Sequence, residues 1–388
     1  MFSRVLTFPR KSFILIGPRG TGKTTWLKSH PFNLVVDLLV SRDRIKLSAD
    51  PHYLSTMVSG LQRGDWVLID EVQKIPELME EVHHLYEEKK INFVLSGSSP
   101  RKLKRLQADL LAARAINLRM FPFVHAELGR KISLEDRILY GTLPVVVDAA
   151  EYRRETLETY IENYLQQELI EERVVRKMEP FLRFLTIAGQ LNGQVLNVEN
   201  IARECSLPRT TVDSYFNILL ETLIAFQLPA YRPGLKVKEV SKNKFYFFDS
   251  GVARACAGLV RDELDKSYTG YLFETYLLHE IRAYNEYSGK KRGLFFYSIT
   301  NSFEIDLIIQ LKKKSISTQE EVMALEFKYQ EKWERGYNRA LQDFKNNSKI
   351  KVKMCLGVYC GRLKLVFDDI VVYPLEQFLQ KLWDGEFF

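Results

Sequence analysis

Cysteine is scarce. The 388 residues hold four, at Cys205, Cys256, Cys355 and Cys360, with no C-x-x-C pair and no His/Cys cluster. That usage excludes a disulfide framework and a structural zinc site, and a reducing cytoplasm is the setting expected. No run of 18 apolar residues occurs, so no membrane-spanning helix is predicted. Arg4, Pro9, Arg10 and Lys11 interrupt the first residues, which therefore lack the apolar stretch of a signal peptide. Internal repeats and low-complexity tracts are absent. Charge of one sign is in only slight excess: 56 Lys and Arg face 49 Asp and Glu, a net +7. That excess is compatible with nucleic-acid contact but does not require it. The length allows two or three domains, each with its own core.

The chain is organised around Lys11-Ser-Phe-Ile-Leu-Ile-Gly-Pro-Arg-Gly-Thr-Gly-Lys-Thr-Thr25. Phe13 to Ile16 reads as a short buried strand running into Gly17, Pro18, Arg19, Gly20, Thr21, Gly22, Lys23 and Thr24, followed by Thr25. Gly17 to Thr24 fits G-x-x-x-x-G-K-[ST], the phosphate-loop pattern. The three glycines permit the backbone angles that turn successive N–H groups inward around an anion. A helix starting near Lys23 adds the positive end of its dipole. Lys23 is placed to reach the β and γ phosphates of ATP, and the Thr24 hydroxyl to ligate Mg²⁺.

Downstream, Phe32 to Leu39 reads as a second buried strand. Asp50 to Gln62 reads as a helix capped by Asp50 with Pro51 at its first position. Asp65-Trp-Val-Leu-Ile-Asp-Glu-Val72 is an apolar strand ending in two acids, the Walker B form. Asp70 would hold Mg²⁺ through water and Glu71 would polarise the attacking water. Pro76 to Lys89 is an amphipathic helix with Leu78, Val82 and Leu85 on one face. The next strand, Ile91 to Leu95, ends in Ser96-Gly97-Ser98-Ser99. Ser98 is favoured as a sensor of the γ-phosphate or of the attacking water, the alternative being a serine-rich turn.

These segments resemble an AAA-type ATPase. More closely, the chain resembles a prokaryotic family in which an AAA-like P-loop domain precedes a nuclease-like domain of unknown function. Further residues carrying the resemblance are Leu68 to Pro76, Leu95 to Ser99, Phe121-Pro-Phe123 with Glu127, and Gly141-Thr-Leu-Pro144. The resemblance implies an arginine finger or sensor, a role open to Arg114 or Arg119. Ala-Ala-Arg at 112–114 departs from the Ala-Gly-Arg typical of the family.

In the middle, Arg153 to Arg173 reads as a charged packing helix and Phe181 to Leu191 as another. Asn197 to Cys205, a turn through Ser206-Leu-Pro208, and Arg209 to Leu220 form a helix-turn-helix pattern suited to a winged helix. Arg209, Thr210, Thr211 and Ser214 would contact DNA if the second helix is a reader. Its few cations favour a lid or an assembly surface instead.

In the last third, Lys244 to Gly251 is a strand ending in Asp249, and the resembling family has Asp-x-Gly here too. Tyr268 to Asn285 is a long helix carrying Glu274. Strand periodicity puts Glu304 and Asp306 on one face of Phe303 to Gln310, and Glu326 and Lys328 on one face of Val322 to Tyr329. A hairpin centred near Ile316 sets Asp306 across from Glu326 and Glu304 across from Lys328. Asp306 and Glu326 would ligate Mg²⁺ or Mn²⁺, Lys328 would steady the phosphorane charge, and Glu274 would complete the metal shell. The pattern resembles the PD-(D/E)xK nuclease fold. The competing reading is a salt-bridged antiparallel pair, or a nuclease-like fold kept as a binding module. Lys332, Arg335, Arg339, Lys345 and Lys349 form a basic region that either tracks phosphate or is a solvated helix face.

The expectation is therefore an α/β chain of three domains. Residues 1–128 form an AAA-like parallel-sheet ATPase domain, 129–238 a helical and winged-helix middle, and 239–388 an α/β nuclease-like domain. ATP and Mg²⁺ are the cofactors expected, with nucleic acid and a second copy of the chain as candidate partners and no membrane. The other function class is a nucleotide-switched interaction protein whose last domain only recognises a partner.

Overall fold

Phe13-Ile-Leu-Ile16 forms β1, buried along its whole length as an inner strand of a parallel sheet. In this computed structural model β1 lies between two parallel neighbours, β4 (Asn92–Gly97) and β5 (Ile116–Arg119). Outward from β4 come β3 (Trp66–Asp70) and β2 (Leu34–Asp37), also parallel, giving the order β2-β3-β4-β1-β5. Described throughout are residues 2–98, 115–165, 178–232, 242–299, 303–315, 317–348 and 350–388. Backbone contacts divide the chain into two units. One comprises Met1–Phe123 with Leu143–Val145 and Ile218–Ile224; the other comprises Val124–Thr142, Val146–Asn217 and Ala225–Phe388.

Two expectations for the first unit are corrected. β2 is shorter than Phe32 to Leu39, and its position at the sheet edge leaves Val35 41% exposed, so it is not a buried strand. No helix spans Asp50 to Gln62. Instead a helix at Ser41–Ala49 ends at Asp50, and a five-residue helix follows at Tyr53–Met57. The Asp50 carboxylate does accept the His52 N–H at 3.1 Å, but it does so in a turn between the two helices.

In the second unit, β6 (Gln194–Val195), β7 (Ala225–Leu228) and β8 (Lys244–Phe247) form an antiparallel sheet in the order β6-β8-β7. Helices at Met178–Gln190 and Val198–Cys205 accompany it, with the helix Arg209–Glu221 as far as Asn217. Asn197 caps the second of these by accepting from Asn200 N, and Ser206 turns the chain with φ of 54°. An aromatic core of Phe181, Phe184, Tyr215, Phe216 and Phe245 packs through edge-on and tilted ring pairs at 4.8–5.8 Å. β8 is the central strand of this sheet, paired with β6 on one side and β7 on the other.

A six-stranded mixed sheet follows, ordered β13-β14-β12-β11-β10-β9. It comprises β9 (Gly293–Ile299), β10 (Phe303–Lys312), β11 (Glu321–Lys328), β12 (Lys351–Tyr359), β13 (Leu365–Phe367) and β14 (Ile370–Pro374). A 22-residue helix, Lys266–Tyr287, contacts β11, and its Asp265 cap accepts from Tyr268 N at 2.9 Å. Among the described residues no helix is long and apolar enough to cross a membrane.

Candidate functional sites

β1 delivers its chain directly into the glycine-rich loop. A Cβ on Gly17 would lie 2.5 Å from Met120 O, and Gly20 and Gly22 hold φ of 82° and 85°, so each position excludes a side chain for a local reason. Thr21 Oγ1 donates to Pro18 O at 2.8 Å. Arg4 bridges Thr21 O and Phe121 O at 2.7 and 2.6 Å, pinning the loop from behind. Lys23 Nζ donates to Gly17 O at 2.7 Å and Pro18 O at 3.1 Å, so the ammonium is held over the loop. Arg19 and Gly20 are half-buried, while Thr25 is exposed.

The next two strands bring oxygen ligands to the same sheet edge. Thr24 Oγ1 donates to Asp70 Oδ2 at 2.6 Å, and Ser96 Oγ donates to Asp70 Oδ1. Asp70 is fully buried. A hydroxyl and a carboxylate this close suit Mg²⁺, which commonly takes one or two protein oxygens and completes its shell with water and phosphate. Glu71, one residue past the strand, adopts the left-handed conformation with φ of 59°. Its Oε2 accepts from Gln73 Nε2 and, at 3.4 Å, from Ser98 Oγ. Gln73 Nε2 also reaches Ser98 Oγ at 3.3 Å, while Gln73 Oε1 is buried without a hydrogen-bond partner. Arg114 lies outside the described residues; Arg119 pairs in register with Ile16, the residue before the loop.

Sequence reasoning missed Ser96, Gln73 and Arg4 here. Ser96 had a readable signal, since it shares the strand face of Ser98 two residues on.

The second site gathers acids on the mixed sheet. Leu307 pairs with Leu325 and Gln310 with Val322, a register that continues to Asp306 opposite Glu326. The β9–β10 pairing shifts between Ile305 and Ile308, placing Asp306 in a bulge, a device that re-aims side chains. Asp306 Oδ2 accepts the Phe327 N–H at 2.7 Å. Lys328 Nζ pairs with Glu326 Oε1, whereas Glu326 Oε2 is buried without a hydrogen-bond partner. Glu274, on the long helix, accepts from Tyr246 Oη and from Lys244 Nζ at 3.1 Å; Lys244 also lies 2.5 Å from Glu304.

Burial, reinforced by the Asp306 carboxylate against the pull of Lys244, lifts Glu274 to a pKa of about 7. Burial and Asp306 likewise hold Glu326 well above the carboxylate range. For Lys328, burial opposes the charge but Asp306 and Glu326 outweigh it, so its pKa stands above the ordinary value. Among the described residues no group of three or more His, Cys, Asp or Glu side chains forms a ready metal cage. The unpartnered Glu326 Oε2 beside Asp306 still offers hard oxygens at a point where negative charge is crowded.

Other motif residues are structural. Asp249 Oδ2 accepts from Thr142 N at 2.7 Å and Oδ1 from Val252 N at 3.1 Å, capping the helix Ser250–Cys256. Gly141, with φ of 73°, lies so close that an added Cβ would sit 1.9 Å from Asp249 Oδ1. Glu127 accepts from Val124 N at 3.2 Å. Glu280 accepts from His125 N and Trp383 Nε1, both at 2.8 Å, and Arg137 Nη1 lies 3.0 Å from His125 Nδ1. On the second helix of the helix-turn-helix, Arg209 is paired with Glu199 at 2.6 Å and Asp213 at 3.6 Å. In the basic region Arg335 and Arg339 are exposed, Lys345 pairs with Asp369, and Lys349 lies outside the described residues.

With this geometry in place, the comparison with known families is direct. Residues 9–129 match the family model described as an AAA domain. Over those residues the chain is similar to an AAA domain. Residues 131–263 and 269–378 match two models described as domains of unknown function, DUF8612 and DUF4143. An uncharacterized protein of Haemophilus influenzae is 25% identical over 215 residues, 51% of this chain. The match spans about half of that relative, 54% of its length. Among solved structures, the Aeropyrum pernix ORC1 protein in complex with DNA is 14% identical. It covers 65% of this chain and 87% of its own at a TM-score of 0.27. Can2 from Sulfobacillus thermosulfidooxidans in complex with cyclic tetra-adenylate is 10% identical, covers 96% and 98%, and has a TM-score of 0.23. Superpositions this loose carry no argument about fold or ligand.

Proposed function

We propose that the chain is a Mg²⁺-dependent ATPase whose nucleotide domain (1–128) is coupled through a helical and winged-helix middle (129–238) to a nuclease-like domain (239–388). The observation that carries the reading is the meeting of three sequence-distant parts at one sheet edge: Lys23 over the loop, Thr24 on Asp70, and Glu71 on Ser98. In this reading the N–H groups between Arg19 and Thr25 cradle the phosphates, Gly17 and Pro18 shape the loop, and Lys23 exchanges its carbonyl partners for β and γ oxygens. Thr24, and Asp70 through water, would hold Mg²⁺, which would supply charge neutralisation at the phosphates. Glu71 takes the proton of the attacking water, with Ser98 sensing the γ-phosphate. Arg119 or Arg114 would serve a neighbouring copy as a finger. Four free thiols fit a reducing cytoplasm. Glu71→Gln should keep ATP binding and lose turnover; a variant with normal turnover would remove Glu71 from this role.

For the last domain the reading is that Asp306 and Glu326 take a divalent ion, with Lys328 beside the scissile phosphate. Cleavage of plasmid and single-stranded DNA and RNA with Mg²⁺ or Mn²⁺, with and without ATP, tests it. Activity lost in Asp306→Ala supports a nuclease. No cleavage under any condition leaves a nucleotide-switched protein with a recognition domain. The charge pairing of Lys244 and Lys328 inside the cluster favours this second reading.

A further inference from the structure

Lys244 belongs to a strand of the three-stranded sheet, where its backbone is fixed by pairing with Val195 and Leu228. Its side chain is 4% exposed and reaches acids from two other elements: Glu274 of the long helix at 3.1 Å and Glu304 of β10 at 2.5 Å. The ring of Phe296 lies 5.5 Å from the ammonium, and Tyr246, two residues along the same strand, donates to Glu274. Such a cation is built in, not adventitious. Around it stand four carboxylates, Glu274, Glu304, Asp306 and Glu326, against two ammonium groups, Lys244 and Lys328. Fully ionised, the cluster carries two excess negative charges; the Glu304 side chain is 39% exposed, but Glu274 and Glu326 are buried, where negative charge is costly unless a proton or a cation offsets it.

We propose that Lys244 is the resident cation of this cluster, its ammonium filling the place between Glu274 and Glu304 where a divalent ion would otherwise sit. Glu274 is then a positioning residue that clamps Lys244 and is no metal ligand, contrary to the role that its position in the sequence suggests. Any divalent ion is confined to Asp306 and Glu326, whose Oε2 is the buried oxygen without a partner. Only this last clause rests on the metal reading of the domain given above.

The test uses the full-length protein, with Mn²⁺ as the probe, followed by thermal unfolding and by water-proton relaxation. Lys244→Met uncovers Glu274 and Glu304, so it should bind Mn²⁺ at least about ten-fold more tightly than wild type, or with one additional equivalent. Its melting temperature should rise with Mn²⁺ more than that of wild type, because an ion that binds only the folded state stabilises it. Lys244→Met/Glu274→Gln should lose that gain. A Lys244→Met protein that folds and responds to Mn²⁺ as wild type does would overturn the proposal. If Lys244→Met does not fold even with Mn²⁺, the double variant decides: recovered folding upholds the resident cation, and no recovery overturns it. Wild type binding no Mn²⁺ while Lys244→Met binds it would sink the metal reading of Asp306 and Glu326 but uphold the role of Lys244. Glu274→Gln losing Mn²⁺ affinity as fully as Asp306→Asn would make Glu274 a ligand and overturn the proposal.

Discussion

Gln73 offers the sharpest mutational handle on the nucleotide site. Its amide donates to Glu71 Oε2 and reaches Ser98 Oγ at 3.3 Å, tying the candidate base to the candidate sensor. Gln73→Ala deletes a hydrogen bond to a charged group, worth about 1.5–3 kcal/mol in a protein interior. If that bond holds the Glu71 carboxylate where it must act, the loss falls on the transition state. At about 1.4 kcal/mol per decade, kcat should drop roughly 10- to 100-fold. ATP affinity should stay within about three-fold, since none of the hydrogen bonds of Gln73 goes to Gly17–Thr25. Phosphate release under single-turnover conditions and equilibrium binding of a fluorescent ATP analogue separate the two quantities. A kcat within two-fold of wild type, or one that rises because Gln73 restrains Glu71, would refute the reasoning. So would a loss confined to affinity.

Other consequences are equally direct. Gly141→Ala would drive a Cβ to 1.9 Å from Asp249 Oδ1 at a φ of 73°, and should cost about 3–5 kcal/mol in urea unfolding; an unchanged midpoint would show that the Thr142–Asp249 contact is not fixed. Burial, tempered by the N–H groups of Thr142 and Val252, raises Asp249 to about 6, and burial raises Glu280 to about 7. These native carboxyls keep protons that the unfolded chain releases, so stability is full below about pH 4 and falls as pH climbs to about 7. His125, lowered to about 4 by burial and then by Arg137, has the opposite sign: its share is lost as pH falls from about 6.5 to 4. In wild type the single imidazole offsets only part of the slope of the two carboxyls. His125→Gln should remove the opposing slope, with stability declining by about 2 kcal/mol more than wild type between pH 4.5 and 6.5. A parallel pH profile would contradict it.

The nucleotide site was legible because its signals are local: a strand, a glycine-rich loop and two acids after a second strand, each readable within ten residues. The hairpin was legible too, since period-two alternation around a turn near residue 316 leaves one register, and Leu307 does pair with Leu325. Lys244 was not. Its acids lie 30 and 60 residues away, and nothing in Lys-Phe-Tyr-Phe marks its first residue as buried. The helix at Ser41–Ala49 escaped because only Leu47 is buried on it, which leaves no apolar stripe to read. Asp50-Pro51 has the chemistry of a helix start, yet here it separates two helices, because the preceding segment Ser41–Ala49 is itself helical. β12 escaped because its parallel pairing with β11 across the helix Arg339–Asn347 leaves no hairpin signature, whereas β13 and β14 do form a short antiparallel hairpin that sequence reasoning passed over.

The central claim is that Gly17 to Thr25 binds the phosphates of ATP and that Lys23 is the cation that reads them. Calorimetric titration of the full-length protein with ATP and Mg²⁺, beside Lys23→Ala, tests it most directly. Two charge-assisted hydrogen bonds at stake should weaken binding by roughly 100-fold or more, with the melting temperature without nucleotide little changed. ATP binding of equal strength in both proteins, or in neither, would contradict it.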